Sequence, residues 1–154
     1  MAESLYDADF PKLRALGYTR TSDPAYYNCI AFVAGDFKRK WWPGDYHPFM
    51  SPDYWPPGAP NEETLAAFTV ALASVNYVPC ADGSLEDGIE KVAIYALGDE
   101  VRHAALQNED DSWTSKLASD EDIRHTLEGL EGPAYGKVVA FLKRPKLPAT
   151  FPDR

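Results

Sequence analysis

The chain reads as an α+β domain, with helices in its first half and antiparallel strands in its second. Three observations predict this. Leu65, Phe68, Leu72 and Val75 recur at steps of three and four residues, which is a helical stripe. Residues 90–97 are β-branched and aromatic, Gly98-Asp99 is a turn, and residues 100–106 run back as a hairpin. A further extended run at 113–117 turns that hairpin into a meander. With 154 residues, 45% of them hydrophobic and 13% aromatic, one domain over 1–154 can bury a substantial core.

The elements follow in order. Residues 3–17 predict a short helix ending at Gly17, with Phe10, Leu13 and Leu16 on one side. A second helix begins at Asn28, whose side chain can accept from the unpaired amides of a first turn, and stops at Gly35. Residues 36–60 hold nearly half of the 13 prolines together with Trp41, Trp42, Tyr46, Phe49, Tyr54 and Trp55. Proline excludes helix and central strand there, while the aromatics are too many for a solvated linker. The segment is expected to be an ordered loop packed on the body. A third helix opens at Asn61 with acid at Glu62 and Glu63 and runs to about Ser74. Residues 76–80 predict a short strand and 81–84 a turn.

Beyond the meander, Ser119 and the acids at 120–122 predict a fourth helix to about Leu130, broken by Gly132-Pro133. Residues 135–142 predict the last strand, followed by the basic run Lys143-Arg144-Pro145 and a tail over 145–154. The helix bearing Cys29 then packs on an antiparallel sheet of about four or five strands.

Composition removes several classes of function. Acidic residues number 24 against 15 basic, a formal charge of -9 at pH 7. That field repels phosphate backbones and anionic lipid surfaces, so neither nucleic acid nor membrane is an expected partner. No run of about 18 apolar residues occurs. The start lacks a basic and an apolar leader region, so the cytoplasm is the expected compartment. Cys29 and Cys80 do not make a disulfide framework. His47, His103 and His125 are scattered, and neither Cys-x-x-Cys nor His-Glu-x-x-His spacing occurs, so no metal or cofactor is expected.

The candidate chemistry centres on Cys29. It falls at the first position of the second helix, where free N–H groups and the helix dipole favour a thiolate. A buried, inert cysteine also suits a helix start. If the hairpin pivots near Leu97, residues summing to about 194 lie opposite, which pairs Lys91 with His103 at roughly 5 Å between Cβ atoms. A second pivot near Glu109 sets His103 against Ser115. His103 would then face Cys29 as a thiol–imidazole pair, with Ser115 as orienter. The alternative is a packed histidine with satisfied nitrogens. Trp41, Trp42 and Trp55 can wall a substrate groove, or form a packed lid. Lys116 can meet a substrate carboxylate, or be a solvated lysine. His47 is a second candidate base, His125 is expected exposed on its helix, and Cys80 is expected in the core.

The Tyr27-Asn28-Cys29 helix start and the run from Lys91 through Tyr95, Gly98 and His103 to Ala104 are similar to the two-strand signature of the NlpC-type, papain-like cysteine peptidases. The similarity covers about a quarter of the chain. It implies a papain-like fold, Cys29 as nucleophile and His103 as the orienting position. The family's principal base falls at Lys91, which departs from the pattern, because a protonated lysine cannot accept the thiol proton. The wider pattern, including Trp41-Trp42-Pro43 and Tyr54-Trp55-Pro56-Pro57-Gly58, also resembles a bacterial family with no assigned function.

The first functional expectation is a cysteine-dependent amide hydrolase or acyl transferase. In it Cys29 attacks a peptide or amide carbonyl, His103 relays the proton, and Lys91 grips an acidic substrate. The other is a non-catalytic, immunity-type or regulatory module on the same fold that holds a basic protein partner. The acidic balance and the lysine at position 91 favour the second.

Overall fold

Alternation of side chains along one long hairpin sets the architecture. The computed structural model describes residues 10–22, 27–43, 54–117 and 122–146. Their strands are β1 (Tyr18–Ser22), β2 (Val78–Cys80), β3 (Ile89–Leu97), β4 (Glu100–Gln107), β5 (Trp113–Lys116), β6 (Asp122–His125) and β7 (Lys137–Pro145). They form one seven-stranded sheet in the order β1-β6-β5-β4-β3-β7-β2, and every neighbouring pair is antiparallel. Among the described residues three helices accompany it: α1 (Leu13–Leu16), α2 (Cys29–Ala34) and α3 (Leu65–Ala73). Among the described residues no helix is long and apolar enough to cross a membrane.

Successive residues of a strand point to opposite faces, and the sheet is covered on both. Val92, Ile94, Val101, Ala104, Leu106 and Leu142 face α2, α3 and the aromatic loop. Ala93, Tyr95, Ala105, Trp113 and Ile123 face a second layer made by Phe10, Leu13 and Leu130. Burial on both sides explains why β3 reads as a continuous apolar run and not as an alternating one.

The papain-like expectation of a helix on four or five strands is overturned by this sheet. Residues predicted as a fourth helix instead form β6 and a single 3-10 turn, Glu128–Leu130. Strand β6 pairs with β5 on one side and β1 on the other, burying Ile123 completely. The acids that resemble a helix cap are outweighed by the requirement to pair the open edge of β5. Strand β1 has no strong sequence signal, since Tyr-Thr-Arg-Thr-Ser is short and polar. Strand β7 then inserts between β3 and β2.

Helix α2 forms as its sequence dictates. The Asn28 carbonyl oxygen of the side chain accepts from the Ala31 amide at 3.1 Å, and Gly35 at φ 90° takes the left-handed conformation that ends the helix. Asn28 also holds the aromatic loop, accepting from the Trp41 amide at 3.0 Å and donating to its carbonyl at 2.9 Å. Helix α3 starts later than predicted. Its cap is Thr64, whose hydroxyl accepts from Ala67, and not Asn61. Of the predicted helix over 3–17 only α1 forms within the described residues, and residues 3–9 lie outside them.

Candidate functional site

Cys29 begins α2 and lies against β4, with its side chain in the cluster of Ile30, Trp41, Phe68 and Ala104. It is 5% exposed. Burial pushes its thiol up to about 11, against the pull of the Ala104, Ile30 and Cys29 amides and of the Lys116 charge. The helix start therefore supplies the expected favourable amides, and desolvation overrides them. At pH 8 roughly one such thiol in a thousand is ionised.

His103 lies on the other side of the sheet. Its Cα partner is Tyr95, and the two rings sit 5.6 Å apart within the second layer. Ala104, the next residue of β4, is the one that faces Cys29. The expected thiol–imidazole dyad is therefore not assembled, because adjacent residues of one strand cannot share a face. Lys91 is displaced likewise. The hairpin pivots at Gly98-Asp99, so Lys91 pairs with Lys143 of β7 and not with His103. Its ammonium, buried under the 82–88 loop, donates to the Asp82 carbonyl at 3.0 Å and meets Glu86 at 2.7 Å. Burial alone would lower its pKa, but the Glu86 hydrogen bond and the neighbouring negative charges raise it. Lys91 is a clamp for that loop and stays protonated.

Ser115 does meet His103, at 2.7 Å from Nε2. The register puts Ser115 opposite Ala105, so His103 is its diagonal neighbour on one face. The same hydroxyl lies 2.6 Å from Nε2 of His125, and Nδ1 of His125 donates to the Thr126 carbonyl at 2.6 Å. His125 was expected exposed on a helix. It is instead 3% exposed on β6. Burial drives both imidazoles down, His103 well below its ordinary value with His125 adding to the effect, and His125 to about 4 despite its carbonyl partner. Both rings are neutral at pH 7. Reading 122–125 as a strand was the one signal that would have found His125, since Ile123 and His125 alternate with polar neighbours.

The remaining candidates are structural neighbours of this arrangement. Trp41 is 3% exposed, and its indole N–H donates to Asp36. Trp42 and Trp55 both pack edge-on against Phe68, at 5.2 and 4.9 Å between ring centroids. Trp42 and Trp55 thus close over α3, while Trp41 packs edge-on against Tyr54 in the core cluster that also holds Cys29. Lys116 is fully buried rather than solvated, with its ammonium 5.5 Å from the Tyr27 ring. Cys80 is half-buried on β2, outside the core, and both cysteines are free thiols. His47 lies outside the described residues. No cluster of metal-ligating side chains occurs among the described residues.

A direct consequence concerns thiol chemistry. In the folded protein at pH 8, iodoacetamide is expected to modify Cys80 well before Cys29. Cys29 should react at the rate of an ordinary thiol only in denaturant. Faster labelling of Cys29 in the native state, read by mass spectrometry of the two peptides, would contradict its burial.

The fold and site thus define a two-faced antiparallel sheet with a sealed cysteine on one side and a buried histidine–serine–histidine chain on the other. The chain belongs to the family described as a domain of unknown function, DUF7689, whose model matches residues 18–143. Comparison with curated proteins and with solved structures gives no match.

Proposed function

We propose that this chain is a non-catalytic binding module of the cytoplasm that holds a basic protein partner. The observation that supports this over hydrolysis is the separation of Cys29 from His103 by the sheet, with the thiol sealed and raised to about 11. A nucleophile needs its base within hydrogen-bond reach. The formal charge of -9 supports a cationic partner. The groove that suits such a partner opens where α3 begins beside the β3–β4 turn. It has a volume of about 390 Å³ and is lined by Pro43, Glu62, Glu63, Thr64, Asp99 and Glu100. Lysine or arginine side chains entering it would meet carboxylates from two elements.

The test is calorimetric titration with an eight-residue Lys/Arg-rich peptide, at two salt concentrations. Binding should weaken at least roughly fivefold between low salt and 0.3 M, as screening dictates. Glu62→Lys with Asp99→Lys should weaken it by about tenfold or more without lowering Tm. Affinity indifferent to both changes would remove the acidic groove from the reading. Turnover of a peptide or amide substrate that Cys29→Ala abolishes would restore the hydrolase.

A further inference from the structure

The chain of two imidazoles about Ser115 has only one proton arrangement that satisfies its contacts. The Thr126 carbonyl can only accept, so Nδ1 of His125 carries the hydrogen. Nε2 of the neutral His125 ring is then an acceptor, and the Ser115 hydroxyl donates to it. Ser115 has only lone pairs left for His103, so Nε2 of His103 carries a hydrogen and donates. Nδ1 of His103 remains a bare lone pair, buried and without a hydrogen-bond partner.

One added proton cannot be accommodated. If it sits on His103, the new Nδ1–H has no acceptor. If it sits on His125, the Ser115 hydroxyl must turn to His103 Nε2, and the His103 hydrogen moves to Nδ1 with the same result. If both rings donate to Ser115, its own hydrogen loses its acceptor. Each microstate buries an unsatisfied donor beside a charge, which is costly in a dry interior.

Among the described residues the groups around the chain offer no compensating acceptor. His103 stacks on Tyr135, with centroids 4.1 Å apart and planes 4° from parallel, and Tyr95 of β3 lies beyond its edge. His125 has Tyr18 of β1 and Trp113 of β5 as its Cα partners. Glu131 on this layer acts on Tyr95 and is bridged through Lys12 to Glu128. Among the described residues neither imidazole meets a carboxylate. Lys116 and Asp122 pair across β5 and β6 at positions one residue along from Ser115 and Ile123, on the Cys29 face.

We infer that the His103–Ser115–His125 chain is an acid-labile latch joining β4 to β5 and β6, so that proton uptake releases the β1-β6-β5 half of the sheet from the β4-β3-β7-β2 half. The split falls where the sheet is thinnest, since β4 and β5 are joined at only Leu106 with Thr114 and Gln107 with Trp113. The sign follows from the neutral folded rings. A released imidazole takes a proton near pH 6.5, whereas the latched ones do so only far lower, His125 at about 4. The latch is therefore intact above pH 6.5 and weakens as pH falls from 6.5 toward 4.

Native-state amide exchange, corrected for intrinsic rates, tests this on the full chain. Between pH 7 and pH 5 the opening constant of β5 and β6 amides should rise roughly twentyfold for each imidazole released. Amides of β3 and β7 should show no such rise. His103→Gln and His125→Gln should each remove one imidazole's share, and the double variant should remove the slope. An unchanged slope in the double variant would overturn the latch. Should those variants fail to fold, nitrogen-15 spectra of the wild-type rings decide. Neutral His125 protonated at Nδ1 and neutral His103 protonated at Nε2 at pH 6 are expected, and a charged ring or the opposite tautomers would overturn it.

Discussion

Arg144→Met is expected to cost about 3–5 kcal/mol of folding stability, the range for breaking a buried ion pair from one side. In the sequence Arg144 belongs to the basic run Lys143-Arg144-Pro145. It is 3% exposed, and its guanidinium spans the sheet and two helix ends. Nε and Nη2 reach one oxygen of Glu90 on β3 at 2.9 and 2.8 Å. Nη1 donates to the Val75 carbonyl beyond α3 at 2.9 Å, and Nη2 lies 3.4 Å from the Val33 carbonyl of α2. The guanidinium carbon sits 4.3 Å above the Tyr77 ring, whose hydroxyl donates to Val33 at 2.7 Å. Helix ends carry unpaired carbonyls and partial negative charge, so one cation serves both α2 and α3.

Removing the cation leaves Glu90 and those carbonyls buried with fewer partners. Arg144→Lys should recover little, because a single ammonium cannot reach the carboxylate and both helix ends together. Glu90→Gln added to Arg144→Met should recover part of the loss, since the stranded charge is then gone. Urea midpoints at unchanged m would measure all three. A loss below about 1 kcal/mol for Arg144→Met would refute this role.

The second large effect is expected at Gly136, where alanine should cost on the order of 3 kcal/mol. Gly136 closes the 132–136 turn through paired backbone bonds with Gly132, and it has φ 76°, a conformation side chains resist. A Cβ there would also run into the backbone carbonyl of Ala96. Backbone cannot swing aside as a flexible side chain can. Gly88 isolates the conformational part, since it has φ 72° with nothing within 4 Å of a built Cβ. Gly88→Ala should cost only about 1 kcal/mol. Equal losses at the two glycines would show that the approach to Ala96 is not tight. Because the same turn presses Tyr135 onto His103, Gly136→Ala should also shift the His103 ring resonances.

Local chemistry was legible in the sequence where one segment held the whole signal. Asn28 and Gly35 delimit α2 as expected, and Gly98-Asp99 turns β3 into β4. The contact between His103 and Ser115 was only approached in the sequence, because the β4–β5 register falls two residues from the expected one and the two side chains meet on the diagonal. The dyad was not, since β4 is buried on both faces and only packing decided that α2 covers the face of Ala104 and not that of His103. Acids at 120–122 mimic a helix cap, and only the demand of β5 for a partner made the next residues a strand.

The sequence by itself therefore determined the helix bearing Cys29, the central hairpin and the acidic character, all set by neighbours in the chain. Tertiary structure alone decided that Cys29 and His103 look away from each other, that His125 and Arg144 are interior, and that the sheet has seven strands. Those outcomes depend on long-range pairing, whose free energy comes from partners far along the chain and leaves no local periodicity to read.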